Sequence, residues 1–215
     1  MAKTKPLKEN ELILTLNKFK DKGRDSLMYC ALGATMTALG ARIEEALQLK
    51  RGAFLDKDGN FRNKVKRPIL KKRRNQNVEI DFYSEIWGQF IKPWLDFQRR
   101  EYGSFRSESY IFCYQFNRAP LHRTTAWKNF NKIYKELKLE YSHGNHGFRK
   151  AFGVMNFNYW VDFYNGDTLK AARQVQKLFK HGTLETTLAY LDLDNDNPQD
   201  SLKDAFNFLI EGQQY

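Results

Sequence analysis

The sequence contains little cysteine and no long apolar run. Its two cysteines, Cys30 and Cys113, each lie among apolar residues in a chain of 215, so we expect two reduced core residues and no disulfide framework. The histidines show no zinc-ligand spacing next to cysteine, so we expect neither a metal nor another cofactor. No apolar segment reaches the ~18 residues of a membrane span, and the start, MAKTKPLKENE, lacks the apolar core of a signal peptide. We therefore expect a protein of the cytoplasm or nucleoid, with no membrane partner.

Acidic residues are outnumbered in this chain. There are 25 Asp and Glu against 36 Lys and Arg, which gives a formal net charge of +11. A basic excess of this size favours a polyanionic partner, most often nucleic acid, and the alternative is a protein that is merely basic. Aromatic residues make up 15% of the sequence, which argues against a disordered chain. The length fits one sizeable domain with a tail.

Apolar spacing predicts a mainly α-helical (α+β) protein. Residues 12–19 follow helical spacing, and Gly23 closes that segment. A second helix is expected to begin behind Asp25 as its cap and to stop near Gly40. The stretch ARIEEALQL then restarts a helix at once.

A small antiparallel sheet is expected in the N-terminal third. The short runs AFL and FRNKV flank the turn KDGN, and RPIL and NVEID flank the charged turn KKRRNQ. Further helices follow: Pro93 should kink or bound one over residues 84–102, and Thr124 should cap the next. An acidic linker at residues 192–200 precedes a short C-terminal helix.

Six side chains in expected turns or near helix ends are candidates for chemistry. They are Arg42, Lys71, His146, Arg149, His181 and Tyr190. Each alone is a weak signal, because lone arginines are usually surface charges, an HxxR pair arises often by chance, and a tyrosine near a helix end is mostly packing. One reaction needs the whole set, namely phosphoryl transfer to a tyrosine.

The chemistry of that reaction explains each residue type. A phenol has a pKa near 10, so it attacks only if its proton is drawn off. The transition state spreads negative charge over nonbridging oxygens, and paired arginines neutralise that charge with forked hydrogen bonds. A lysine is a movable proton donor for the departing sugar oxygen. Histidines transfer protons near neutral pH, and with several fixed cations the site needs no metal.

These segments resemble the catalytic domain of the tyrosine recombinase (phage integrase) family. TALGARIEEALQL is similar to the family's arginine box, which makes Arg42 the first catalytic arginine and Glu45 its supporting acid. PILKKRRNQNVEI resembles the family's β-hairpin, in which Lys71 is the catalytic lysine and Lys72 the alternative. FNRAPLHRTTAWKNFNKIYKEL is like the helix that leads to the second box.

The resemblance extends to both later boxes. HGFR matches the HxxR box and gives His146 and Arg149. LFKHGTLETTLAY resembles the last box, in which His181 precedes the nucleophile Tyr190 by nine residues with a threonine pair between them. All six functional positions are filled, in order.

The resemblance implies a DNA-cleaving and rejoining enzyme with a 3′-phosphotyrosine intermediate, acting as a site-specific recombinase or integrase. Duplex DNA is the implied partner, together with a tetrameric synapse of protomers and a possible accessory DNA-bending protein. Alternative outcomes are a telomere resolvase, a type IB topoisomerase-like enzyme or a non-cutting DNA-binding regulator. Six basic residues are candidates for holding the duplex backbone, with a solvated turn as the alternative for the KKRR run: Lys71, Lys72, Arg73, Arg74, Arg123 and Lys128.

The chain also departs from the family pattern. Lys180 stands where glycine is common before the last-box histidine, and Lys150 stands where histidine is common. An extra stretch, NFNYWVDFYNGD, is read as a loop that contacts DNA or a partner, or as a longer helical connection. The first box begins too early for an N-terminal core-binding domain, so we expect a single-domain member, as in the fimbrial-switch invertases, with a fragment as the alternative.

Two regions are therefore expected. Residues 1–193 form the catalytic domain, and residues 194–215 form an acidic linker plus a C-terminal helix. Phe206, Leu209 and Ile210 of that helix are expected to pack on a neighbouring protomer or back on their own domain.

Overall fold

The fold was analysed in a computed structural model of the chain, which describes residues 5–70, 76–103, 106–113, 119–139 and 143–191. The chain divides into two compact units, Met1–Ala151 and Phe152–Tyr215. The described part is mostly helical with one small antiparallel sheet, which confirms the predicted fold class.

The first unit is built around a helix that is buried on every side. After α1 (Glu9–Asp21), α2 runs over Arg24–Leu39, and residues 28–41 are all buried. A helix with apolar residues all round suits the interior of a domain. It packs against α1, whose buried residues Leu12, Leu16 and Phe19 follow the predicted spacing.

The ends of α2 differ from each other. Gly23 caps the N-terminus at φ 88°, and the predicted cap Asp25 lies inside the helix, so that assignment is wrong. At the other end Gly40 adopts the left-handed conformation, φ 56° and ψ 33°. Glycine takes this conformation without a Cβ penalty, which is why the helix stops there as predicted. The chain then turns at once into α3 (Ile43–Leu47).

The segment after α3 forms a short helix where a strand was expected. AFL lies in and just after α4 (Arg51–Phe54), and Leu55 makes only a single bridge to Phe61. The reason is tertiary: the N–H groups of Arg51 and Gly52 donate to the carbonyls of Ser109 and Ser107, both at 2.8 Å. Those two N–H groups belong to the first turn of α4 and have no partner within the helix.

The second predicted strand pair is present. β1 (Lys64–Ile69) and β2 (Gln76–Asp81) are antiparallel, with Val65 opposite Ile80 and Arg67 opposite Val78. Side chains alternate along β1, so Val65, Arg67 and Ile69 share the buried face.

Two predictions about helix ends differ from the structure. Pro93 lies inside α5 (Ser84–Tyr102), so it marks no boundary, and a kink at Pro93 stays a prediction. The loss of one backbone hydrogen bond is offset by a buried apolar face, which includes Ile91 and Trp94. Ahead of α6 (Arg123–Glu136) the capping residue is His122, and Thr124 is already inside the helix.

A glycine on α2 lets the next helix approach closely. α7 runs over His146–Phe163. A Cβ on Gly33 would lie 2.9 Å from the ring of Phe148, in the first turn of α7, and 3.2 Å from Leu16. Since real Cβ atoms rarely come so near, glycine is required for this approach. The contact fixes the turn of α7 that also carries Arg149.

The second unit contains the end of α7, then α8 (Thr168–Phe179) and α9 (Leu184–Leu191). The extra stretch NFNYWVDFYNGD, residues 156–167, therefore lies mostly in α7. Of the two predicted alternatives, the longer helical connection is the one that the structure shows. Asp167 caps α8 by accepting the N–H of Lys170 at 2.9 Å. A Cβ on Gly153 would lie 2.8 Å from Phe179 and 3.2 Å from Leu191, which shows how closely these helices pack.

In the part of the chain that the structure describes, no helix is long and apolar enough to cross a bilayer.

Candidate active site

The candidate residues of the first unit include a pair of arginines joined by one buried carboxylate. Arg42 is the N-cap of α3, and its Nη1 donates to Glu45 Oε1 at 2.7 Å. The backbone N–H of Arg42 also donates to the other oxygen of Glu45, at 2.8 Å. Glu45 is 1% exposed and Arg42 is 23% exposed. The spacing of three residues thus produces a closed turn in which the carboxylate fixes both the main chain and the guanidinium of Arg42.

Arg149 reaches the same carboxylate from another helix. It lies in the first turn of α7, is 1% exposed, and its Nη1 is 3.4 Å from Glu45 Oε2. Nη1 also donates to the carbonyl oxygen of Gly40 at the end of α2. A buried arginine needs such partners, since taking an ion out of water costs several kcal/mol. The three side chains of Arg42, Glu45 and Arg149 together carry one excess positive charge.

His146 stands three residues before Arg149, as the first residue of α7. Residues at this spacing lie on the same side of a helix. His146 is exposed whereas Arg149 is buried. The HxxR spacing therefore places an accessible imidazole one turn ahead of a fixed guanidinium.

The other candidate residues, His181 and Tyr190, lie within the second unit. Tyr190 is in the second turn of α9, and its ring centroid lies 5.2 Å from that of His181, with the ring planes at 70°. Phe179 lies 5.1 Å from each of these two rings. The nine-residue spacing thus brings the imidazole and the phenol into edge-to-face contact.

The two threonines of the predicted pair, Thr186 and Thr187, make different contacts. Thr187 is buried, and its Oγ1 lies 3.1 Å from His181 Nδ1 and 3.5 Å from the carbonyl of Thr183. A hydroxyl that donates to that carbonyl accepts Nδ1–H, which leaves the other imidazole nitrogen with its lone pair. Thr186 is exposed and bonds to Thr183 instead.

Lys180 adopts a left-handed backbone conformation, which glycine takes most easily. It caps α8 at φ 54° and ψ 40°. The lysine keeps a left-handed helix end, and the N–H groups of Lys180 and His181 bond back to the last turn. For a residue with a Cβ, this conformation lowers the free energy of unfolding by about 1–2 kcal/mol.

The predicted DNA-contacting residues divide into two groups. Lys71, Lys72, Arg73 and Arg74 lie outside the described residues. Arg123 and Lys128 are exposed on α6, where Arg123 forms a 2.6 Å ion pair with Glu44 of α3. Ile69 and Gln76 are opposite each other at the end of the described part of the hairpin.

Sequence reasoning missed one buried cation, Arg67. It is 1% exposed on the inner face of β1, and its guanidinium donates to the end of α2. The signal was present, because the period of two in the run VKRPI puts this arginine between two apolar residues that face the core.

Among the described residues no group of three or more His, Cys, Asp or Glu is placed to hold a metal ion. The two cysteines are buried, and burial raises the pKa of the Cys30 thiol to about 12. That thiol stays protonated near neutral pH, so it is a poor nucleophile.

Comparisons with known proteins agree on one family. The model of the phage integrase family matches residues 6–197. A probable integrase/recombinase of Acholeplasma phage L2 is 26% identical over 181 residues, which cover 84% of this chain and 54% of the phage protein. The chain thus spans about half the length of that curated relative.

Solved structures with the same fold include three recombinases. XerH site-specific recombinase in a post-cleavage complex with its palindromic difH substrate has a TM-score of 0.64 at 21% identity, covering 92% of this chain and 52% of XerH. XerA recombinase also has a TM-score of 0.64, at 16% identity over 95% of this chain and 66% of its own. A lambda integrase dimer bound to a COC′ core site has a TM-score of 0.61 at 11% identity, covering 89% of this chain and 49% of the lambda integrase chain. At these identities the similarity shows the fold alone.

Proposed function

The chain belongs to the phage integrase family, and on that premise we propose that it is a site-specific DNA recombinase that cleaves and rejoins duplex DNA through a 3′-phosphotyrosine. The observation that carries the proposal is the buried carboxylate of Glu45, which binds two guanidiniums on different helices. Such a pair is suited to a phosphodiester, because forked N–H groups match its two nonbridging oxygens. A single surface arginine would not need this support.

The two arginines are proposed to neutralise the phosphate. Arg42 and Arg149 contribute two positive charges and Glu45 removes one. The excess charge is held where an anionic transition state develops, and donors that are already fixed need no reorganisation during the reaction.

Tyr190 is the proposed nucleophile. Its oxygen bonds to the scissile phosphorus, and the bond from phosphorus to the 5′ oxygen breaks. The phenolic proton passes to a neutral imidazole, His146 or His181, and Lys71, with Lys72 as the alternative, protonates the leaving oxygen. A 5′-hydroxyl of a second duplex reverses these steps. The energy of the broken bond is kept in the phosphotyrosine, so rejoining consumes no ATP.

DNA binding is proposed to use the basic residues around the hairpin and α6. The net charge of +11 supports a duplex partner, and such contacts position the backbone without reading sequence. A protein that binds duplex DNA in this way would act on the nucleoid. Recombination joins two duplexes, so we propose a tetrameric synapse, with an accessory DNA-bending protein where the protomers alone bind weakly.

The test is a search for the covalent intermediate. The full chain is incubated with short duplexes of randomised sequence that carry nicks, since loss of the short fragment beyond a nick traps the cleaved strand. We expect complexes that resist SDS, and their sequences give the site. Mass spectrometry should find the nucleotide on the peptide that contains Tyr190.

The matched variants are two tyrosine-to-phenylalanine changes in the second unit. Tyr190→Phe should abolish the covalent complex and leave gel-shift binding within about twofold, because only the attacking oxygen is removed. Tyr159→Phe, at a ring that is 59% exposed on α7, should leave both unchanged. An adduct on any residue other than Tyr190 would falsify the assignment of the nucleophile.

The competing functions give different products. A telomere resolvase would yield hairpin ends, and a type IB topoisomerase-like enzyme would relax supercoiled circles without exchanging strands. A DNA-binding regulator would shift duplexes in a gel and form no covalent complex, and Tyr190→Phe would then have no effect. The buried carboxylate between two arginines favours cleavage, because a protein that only binds DNA gains nothing from that arrangement.

Self-association is proposed to use the C-terminal segment 201–212, which lies outside the described residues. Its sequence, SLKDAFNFLIEG, has apolar residues at helical spacing. A chain that ends after residue 195 should then sediment as a smaller species on DNA than the full chain does. Unchanged association would refute this role of the segment.

A further inference from the structure

The buried arginine on β1 lies at the centre of this inference. Arg67 shares the inner face of the strand with Val65 and Ile69, and it is 1% exposed. Arginine is almost never fully buried unless it is paired. A strand that needed only to cover the core would carry an apolar residue at this position.

The partners of Arg67 are main-chain carbonyls at the end of α2. Its Nη1 donates to the Leu39 oxygen at 2.9 Å and to the Gly40 oxygen. The last carbonyls of a helix have no partner within the helix and carry partial negative charge, so a cation is favourable there. Gly40 is the residue in the left-handed conformation, which turns its carbonyl away from the helical direction.

The same carbonyl oxygen also accepts from Arg149. The guanidiniums of Arg67 and Arg149 therefore meet on one acceptor, the oxygen of Gly40. Arg149 also donates a hydrogen bond to Glu45, and Glu45 accepts another from Arg42. A connected set of hydrogen bonds thus runs from β1 to both arginines of the proposed phosphate site.

We propose that Arg67 is a positioning residue for strand transfer: it fixes the Gly40 carbonyl, and that carbonyl sets the direction of the Arg149 guanidinium. This inference rests on the proposed function. Arg67 need not touch DNA. Its removal would leave Arg149 bonded to a carbonyl that is free to move, so the arginine would meet the scissile phosphate in the wrong orientation.

Arg67→Lys is the variant to test. It keeps the charge and most of the length but replaces a forked planar donor with an ammonium. The matched control is Arg62→Lys, because Arg62 also donates to two main-chain carbonyls, those of Gly52 and Leu55, and has no bond to Gly40. Both variants should fold, which circular dichroism and thermal unfolding check first.

The first readout separates positioning from general damage. The rate of covalent-complex formation is measured on two nicked duplexes. One carries an ordinary scissile phosphate, and the other carries a neutral methylphosphonate at the same position. The neutral group lacks the charge that Arg149 is proposed to neutralise. Arg67→Lys should therefore slow the phosphate reaction at least tenfold and the methylphosphonate reaction less than threefold. Arg62→Lys should slow neither. An equal loss on both substrates would overturn the proposal, because a purely structural defect slows both alike.

The second readout does not depend on cleavage. The side-chain ¹⁵N–¹H signals of Arg149, assigned by their loss in Arg149→Lys, report how firmly its guanidinium is held. Arg67→Lys should shift and broaden them, and Arg62→Lys should not. If the wild-type chain forms no phosphotyrosine, the proposed function fails and the signals still decide whether Arg67 positions Arg149. Unchanged Arg149 signals in Arg67→Lys would overturn the inference whatever the enzyme does.

Discussion

The carboxylate of Glu45 gives the sharpest test of the arginine cluster. Glu45→Gln keeps the shape of the side chain and one acceptor oxygen but removes the charge between two guanidiniums. Both contacts, at 2.7 and 3.4 Å, lose their ionic partner, and Glu45 and Arg149 are each 1% exposed. Breaking a buried ion pair costs about 3–5 kcal/mol. Because Arg42 is 23% exposed and partly solvated, we expect a loss near the lower end, about 3 kcal/mol.

The measurement is urea and thermal unfolding of the full chain at neutral pH. For a chain of this size 1 kcal/mol corresponds to about 2–4 °C in Tm, so Glu45→Gln should melt about 6–12 °C below wild type. Glu44→Gln is the control on the same helix. Its partner is Arg123, and the two side chains are 48% and 61% exposed. A surface ion pair is worth about 0.2–1 kcal/mol, so this variant should melt close to wild type.

Anions should partly reverse the effect. Two guanidiniums that have lost their carboxylate attract sulfate or phosphate more strongly than before. At equal ionic strength, replacing chloride with sulfate should therefore raise the Tm of Glu45→Gln more than that of wild type or of Glu44→Gln. The reasoning is refuted if Glu45→Gln costs less than about 1 kcal/mol, or if the two variants respond to sulfate alike.

Three further predictions use other parts of the structure. Thr187→Val removes the hydroxyl 3.1 Å from the His181 imidazole. The variant should slow covalent-complex formation about tenfold, because the loss of a buried hydrogen-bond partner costs about 1–3 kcal/mol. Thr186→Val should leave the rate unchanged. Lys180→Gly relieves a left-handed backbone at φ 54° and should raise the free energy of unfolding by about 1 kcal/mol in urea titrations; a loss would contradict the strain argument. Burial raises the pKa of Tyr134 in the folded chain. The neutral phenol therefore contributes its full share to the free energy of unfolding below the unfolded pKa, which is near 10. That share falls as the pH rises further, because the unfolded chain then loses the phenolic proton more easily. Tyr134→Phe should therefore lose less stability than wild type between pH 8 and 11, measured by urea unfolding; equal losses would refute this.

The resemblance to the family named pairs of residues that local contacts bring together. Arg42 and Glu45 are three residues apart, and His181 and Tyr190 are nine apart, so one turn or one helix pair brings each couple together. The fold class followed from helical periods and one hairpin signal.

Long-range contacts decided the rest. α4 forms where a strand was expected, because carbonyls of residues 107 and 109, more than fifty positions away, accept its first N–H groups. Pro93 stays inside α5 because the apolar face of that helix is buried. The period of two along β1 indicates that Arg67 is buried, but its partners are the carbonyls of residues 39 and 40, and no rule of spacing links a strand to the end of an earlier helix.

The two groups of candidate residues therefore depend on different parts of the chain. The order of Arg149 depends on distant segments, namely the end of α2, the turn into α3 and the close approach at Gly33. The ring of Tyr190 packs against Phe179 and His181, which are close to it in the sequence. Proteins open in cooperative local units, so damage in one unit need not unfold another. Substitutions in the core around α2 should thus impair phosphate binding and overall stability together, whereas changes around α9 should alter the nucleophile while the first unit stays folded.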